Sequence, residues 1–127
     1  MTKMRPALMF DGRAEEAISF YVSLFEDGEV LEVVRDRASG GRSVLHGVFR
    51  IAGQTLLCSD ASANSFRFTP AISLSIDCDS EEEIARLSEA LSGGGGEVLI
   101  PSDDYGFSKK FTWITDRFGL TWQLNLP

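Results

Sequence analysis

Histidine, cysteine and positive charge are all scarce in this sequence. It has one histidine, two cysteines and 12 lysines and arginines against 19 aspartates and glutamates. A single histidine, His46, leaves little for a histidine-built metal site or a Ser/His/Asp relay. Cys58 and Cys78 have no CxxC spacing and read as small buried hydrophobes, not as a redox pair or zinc site. A net charge of −7 with no basic stripe argues against nucleic acid and anionic membranes as partners. No apolar run approaches the ~20 residues that a membrane span needs. Residues 1–6 carry no signal-peptide cleavage pattern, so a cytoplasmic location is the expectation.

What is present is the patterning of an ordinary globular chain. With 127 residues and 43% hydrophobic content, it is long enough for one domain with its own core. Residues 4–10 read as a strand closed by Asp11-Gly12, and Ala14 to Phe25 has helical spacing with Ala17, Phe20 or Tyr21, Leu24 and Phe25 on one face. Glu29 to Arg37 is β-rich. Ser43 to Ile51 and Gln54 to Ser59 read as a hairpin around Ala52-Gly53. A polar connector holding Phe66 and Phe68 follows.

After Pro70 the order restarts. Ala71 to Cys78 alternates strictly as a strand, and Asp79 or Ser80 caps a helix running through Ser92. Gly93 to Gly96 stops that helix. Glu97 to Ile100 is a short strand, and Phe107 to Ile114 leads to the last one. There Leu120, Trp122, Leu124 and Leu126 alternate with Thr121, Gln123 and Asn125, a period of two that gives one buried and one polar face.

The restart is an internal repeat. Leu8, Phe10, Glu15, Glu16, Ile18, Gly53 and Thr55 stand 66 residues before Leu74, Ile76, Glu81, Glu82, Ile84, Gly119 and Thr121. The expected fold is α+β: two βαβββ modules in tandem, forming curled mixed sheets with the helices on the outer face. Module one covers about 1–60, the connector 61–69 and module two about 70–127, all as a single domain.

Paired modules of this length resemble the vicinal oxygen chelate superfamily of glyoxalase I, bleomycin-resistance proteins and extradiol dioxygenases. Within it the chain is most similar to the PhnB-like group, labelled as a 3-demethylubiquinone-9 3-methyltransferase domain. The resemblance rests on residues 8–17, Phe20-Tyr21, Leu24-Phe25 and residues 113–123. It implies a pocket on the concave sheet face, where relatives hold a divalent metal with His, Glu or Gln from the first and fourth strands of each module. The positions that match those ligands are Arg5 (or Pro6), Leu57, Ala71 and Gln123. Only Gln123 offers a neutral donor atom, and one amide cannot hold Zn²⁺ or Fe²⁺. The expectation is therefore no metal of the family type and no cofactor.

Methyl transfer gains no support from the residues. The Gly93–Gly96 run follows a helix and precedes a strand, the reverse of a cofactor-binding turn. Asp103-Asp104-Tyr105-Gly106 reads as a solvated loop at the pocket mouth of related folds. The ligand-contact candidates are Gln123, Ser59 and Ser73, with the aromatics Phe66, Phe68 and Trp113, and Arg5 for an anionic group. Each aromatic has a rival reading as core or dimer-interface packing, and Arg5 as a solvent-facing strand end. The resulting expectation is a metal-free homodimer that binds a small organic molecule. The alternatives are an enzyme of the superfamily with an unconventional site, and a structural or regulatory dimer without ligand.

Overall fold

A computed structural model describes residues 1–61 and 66–127, so connector residues 62–65 lie outside the described residues. The chain divides into two compact units, Met1–Arg67 and Phe68–Pro127. Each is a four-stranded mixed sheet with one helix on one face. No helix among the described residues is long and apolar enough to cross a membrane.

The first unit contains β1 (Ala7–Phe10), α1 (Ala14–Ser23), β2 (Glu29–Arg35), β3 (Val44–Ile51) and β4 (Gln54–Asp60), with one 3₁₀ turn at Arg37–Ser39. The sheet order is β1-β4-β3-β2, with β1 parallel to β4 and the remaining pairs antiparallel. Leu8, Phe10, Phe49, Ile51, Leu56 and Cys58 pack with Ala17, Ile18 and Tyr21 of α1 as the buried core. Gly47 stands in the middle of β3. It pairs with Cys58, and an added Cβ there would stand 2.6 Å from the Cys58 sulfur, so only glycine lets that thiol pack.

The second unit repeats the order with β5 (Ser73–Asp77), α2 (Glu81–Ser92), β6 (Glu97–Asp103), β7 (Lys110–Thr115) and β8 (Thr121–Leu126), arranged β5-β8-β7-β6. Ser80 caps α2 by accepting from the Glu83 N–H at 3.1 Å, and Glu83 in turn accepts from the Asp79 N–H at 2.8 Å. The first bond satisfies one helix-start donor, and the second ties the residue before the cap to the first turn. Ile84, Leu87 and Leu91 of α2 are buried with Ile114, Leu120, Trp122 and Leu124. Pro101 sits in β6, an outer strand, where its missing N–H breaks no ladder between two neighbours.

The tandem βαβββ architecture is as expected, but several boundaries move. β1 begins at Ala7, not residue 4, so Arg5 precedes the strand. β5 begins at Ser73, and Ala71 lies in a turn. β6 runs on to Asp103, whereas β7 begins only at Lys110. α1 ends at Ser23, with the Leu24 N–H bonding back to Tyr21 O.

Candidate functional site

In each unit α1 or α2 covers one sheet face, and the strand period of two leaves alternate residues on the other. In the second unit this open face carries Ser73, Ser75 and Asp77 of β5 and Thr121, Gln123 and Asn125 of β8. From β7 it carries Phe111, Trp113 and Thr115. In register, Ser75 faces Gln123 and Gln123 faces Trp113. Three expected residues, Gln123, Ser73 and Trp113, therefore meet on one surface.

A hydrogen-bond chain organises that surface. The Trp113 indole Nε1 donates to Ser73 Oγ at 3.0 Å, Ser73 Oγ lies 2.6 Å from Thr121 Oγ1, and Thr121 Oγ1 bonds Ile72 O at 2.8 Å. Trp113 belongs to β7 and Ser73 to β5, with β8 between them. Two strand spacings are about 9–10 Å, so the indole must lie across β8 to reach its partner. Its ring becomes part of the floor, half-buried and held at one end. Thr121 does not open onto the face as expected. It is fully buried, and its hydroxyl is committed to this chain.

The remaining expected residues lie elsewhere. Ser59 pairs with Met9 on the open face of the first unit. Met9 and Phe66 line a cavity of about 320 Å³ together with Leu45, Asp36 and Asp60. Arg5 is exposed and lines a separate shallow hollow of about 350 Å³ with Lys3, Gly53 and Thr55. Phe68 is half-buried beside the turn before β8, its Cβ 4.0 Å from where a Gly119 side chain would begin.

His46 lies in β3, the third strand, apart from the positions that match the superfamily's metal ligands. Phe49 and Ile51 are buried, so alternation puts His46, Val48 and Arg50 on the open side of β3. Its Nε2 lies 3.3 Å from Glu32 Oε1, and Arg50 bonds Glu29 on the same side at 2.7 Å. Both cysteines are free and buried. Burial, with the Asp60 charge beside Cys58 and Glu83 beside Cys78, pushes each thiol from 9.0 up to about 11. At neutral pH neither is a nucleophile.

Three carboxylates do structural work that sequence alone did not reveal. Asp60 accepts from the N–H groups of Gly12, Ala14 and Val44, tying the β1–α1 turn to β3. Asp27 accepts from Ala52 and Gly53, and those backbone bonds lower its pKa. Asp116, only 2% exposed, accepts from the Phe118 and Leu120 N–H groups and from Trp122 Nε1 at 2.9 Å. Their acceptor roles could be read only once the turns had been placed.

The positions matching the superfamily's metal ligands do not fit a metal. Arg5 is a cation, Leu57 and Ala71 have no side-chain donor atom, and Gln123 alone supplies an amide. Among the described residues no group of three or more His, Cys, Asp or Glu could hold an ion. The Gly93–Gly96 run closes α2: the Gly93 N–H bonds Glu89 O, and Gly94 turns with φ +64 against the Arg117 guanidinium. It forms a helix C-terminus, not a phosphate-binding turn.

Against known proteins, residues 2–125 match the family model described as 3-demethylubiquinone-9 3-methyltransferase. The chain belongs to this family. A solved PhnB protein from Bacillus cereus, titled a putative member, shares 42% identity at a TM-score of 0.92, covering 99% of this chain and 100% of that one. Protein YjdN of Escherichia coli K12 is 24% identical over 97% of this chain and 94% of its own. The fosfomycin resistance protein FosX from Listeria monocytogenes matches at 17% identity and TM-score 0.65 over 99% and 91% of the two chains. That likeness concerns fold alone. FosX has also been solved with Mn(II) and 1S,2S-dihydroxypropylphosphonic acid.

Proposed function

We propose that the protein is a cytoplasmic, metal-free PhnB-like homodimer that binds a small organic molecule on the open sheet faces. The observation that carries this reading is the Trp113 indole laid across β8 beside the Gln123 amide, its Nε1 held by Ser73. A fixed aromatic floor edged by hydroxyl and amide groups is the composition of a small-molecule site. Binding alone needs no acid, base or nucleophile, which suits a face whose polar groups on β8 are neutral. Ser59 and Phe66 extend the same chemistry to the first unit. The name methyltransferase finds no cofactor-binding turn to support it.

Thermal-shift screening of the purified protein against phosphonates, quinone precursors, aromatic compounds and thiol adducts tests the proposal. A ligand present at about 100 times its Kd stabilises by about 2.7 kcal/mol, a shift of several degrees. Hits should weaken at least tenfold in Trp113→Leu and Gln123→Ala. Silence across all classes, or hits indifferent to both substitutions, would favour a structural dimer. One stoichiometric divalent ion in purified protein, lost in Gln123→Ala, would overturn the metal-free claim.

The superfamily-enzyme alternative has one observation in its favour, the His46–Glu32 pair on the open face of β3. If that pair acts as a general base, turnover of any bound compound should vanish in His46→Gln while binding persists.

A further inference from the structure

Building on the small-molecule reading above, we infer that the second unit's open face selects a flat aromatic ligand bearing a positive charge and disfavours anions. The aromatic part follows from the rings that β7 and the segment before it bring to this face. Phe111 stands two residues before Trp113 on the same side of β7, opposite Asn125. Phe107 lies 5.2 Å from Phe111 between ring centroids and Tyr105 lies 6.3 Å from it, both edge-on. Tyr105 is fixed by its hydroxyl, which donates to Pro101 O at 2.6 Å. Phe107 and Tyr105 are exposed, and Trp113 and Phe111 half-buried. Aromatic surface outside the core, held by hydrogen bonds and edge contacts, is a stacking platform for a planar molecule.

Charge supplies the selectivity. The second unit has ten acidic and four basic residues, whereas the first has nine and eight. Three carboxylates border the platform in register: Asp77 on β5, Glu97 opposite Thr115, and Asp103 opposite Phe111. Asp77 receives a bond only from a neutral amide, Asn125 Nδ2 at 3.0 Å, and Asn125 Oδ1 is buried with no donor among the described residues. That corner is rich in acceptors.

The unit's cations are mostly committed elsewhere. Lys110 bonds Glu81 of α2 at 2.9 Å, the Arg117 guanidinium lies against Gly94 past the end of α2, and Arg86 is on α2 itself. Lys109, exposed just before β7, is the remaining cation of this unit. A cation over these rings gains from their faces and from the carboxylates together. A phosphonate or carboxylate meets three carboxylates with one lysine to offset them.

Three probes that share one ring system test this: 2-naphthylmethylamine, 2-naphthalenemethanol and 2-naphthoate, titrated by Trp fluorescence and calorimetry at low and moderate salt. The expected order is amine, then alcohol, then carboxylate, with the amine at least tenfold tighter than the carboxylate at low salt and the gap narrowing as salt rises. Asp77→Asn should weaken the amine three- to tenfold and leave the alcohol within twofold. An amine affinity unchanged in Asp77→Asn, or a carboxylate that binds as tightly as the amine, overturns the charge selection while the small-molecule reading stands. Failure of all three probes to bind, with Trp113→Leu indistinguishable from wild type, overturns both.

Discussion

Cys58 and Cys78 are buried, each 3% exposed, and burial raises both thiols to about 11. The folded state thus favours the protonated thiol more than the unfolded chain does, whose thiols ionise near 9.0. Stability from this source is complete below pH 9 and is lost as pH rises from 9 to 11, on the order of 2 kcal/mol per thiol. The urea midpoint should be flat from pH 7 to 8.5 and then fall. Cys58→Ala/Cys78→Ala, less stable at neutral pH, should lose most of that slope relative to wild type. An identical slope in the double variant would show that tyrosines and lysines account for it. With no CxxC spacing to suggest a redox pair or zinc site, the sequence already read both cysteines as small buried hydrophobes. It could not show Asp60, Asp27 and Asp116 as backbone clamps, because each serves N–H groups whose positions depend on how a turn closes.

At the scale of elements, the repeat was legible because burial forces a period of two on β4 and β8 and a helical period on α1 and α2. Details that leave those periods intact were not. Ala7 pairs with Leu57 in the first unit, but Ser73 pairs with Thr121 in the second, a two-residue slide relative to the repeat. A slide of two keeps every side chain on its own face, so hydrophobic pattern cannot report it. The hairpins differ as well: β3 turns into β4 through Ala52-Gly53 alone, while β7 and β8 are joined by residues 116–120. Ala52 has φ +47, the only non-glycine at positive φ among the described residues, and Gly53 has φ +78. This two-residue geometry favours Asn-Gly. Ala52→Asn should therefore stabilise the protein by about 0.5–1 kcal/mol, read as a higher urea midpoint with the m-value unchanged. A loss of stability would mean that Asp27, which holds both turn N–H groups, already imposes the geometry at no strain.

Across the whole molecule, strand edges carry the argument for self-association. β2 is the outer strand of one sheet and β6 of the other, and both expose apolar side chains: Leu31 is 44% exposed and Val98 47%. Long apolar edges invite pairing with another chain unless something covers them. β2 is seven residues long with Val30, Leu31 and Val34 all exposed, and Pro101 shields only β6. A second copy is the partner that the sequence itself guarantees to be present, and closed symmetry would use each edge once. Sedimentation equilibrium should give twice the chain mass of 13.9 kDa. Leu31→Lys/Val98→Lys should shift the protein toward monomer without altering its circular dichroism, since neither side chain belongs to a core. A dimer unmoved by that pair would place the interface on the open faces, where it would compete with ligand, and the probe titrations would then depend on protein concentration.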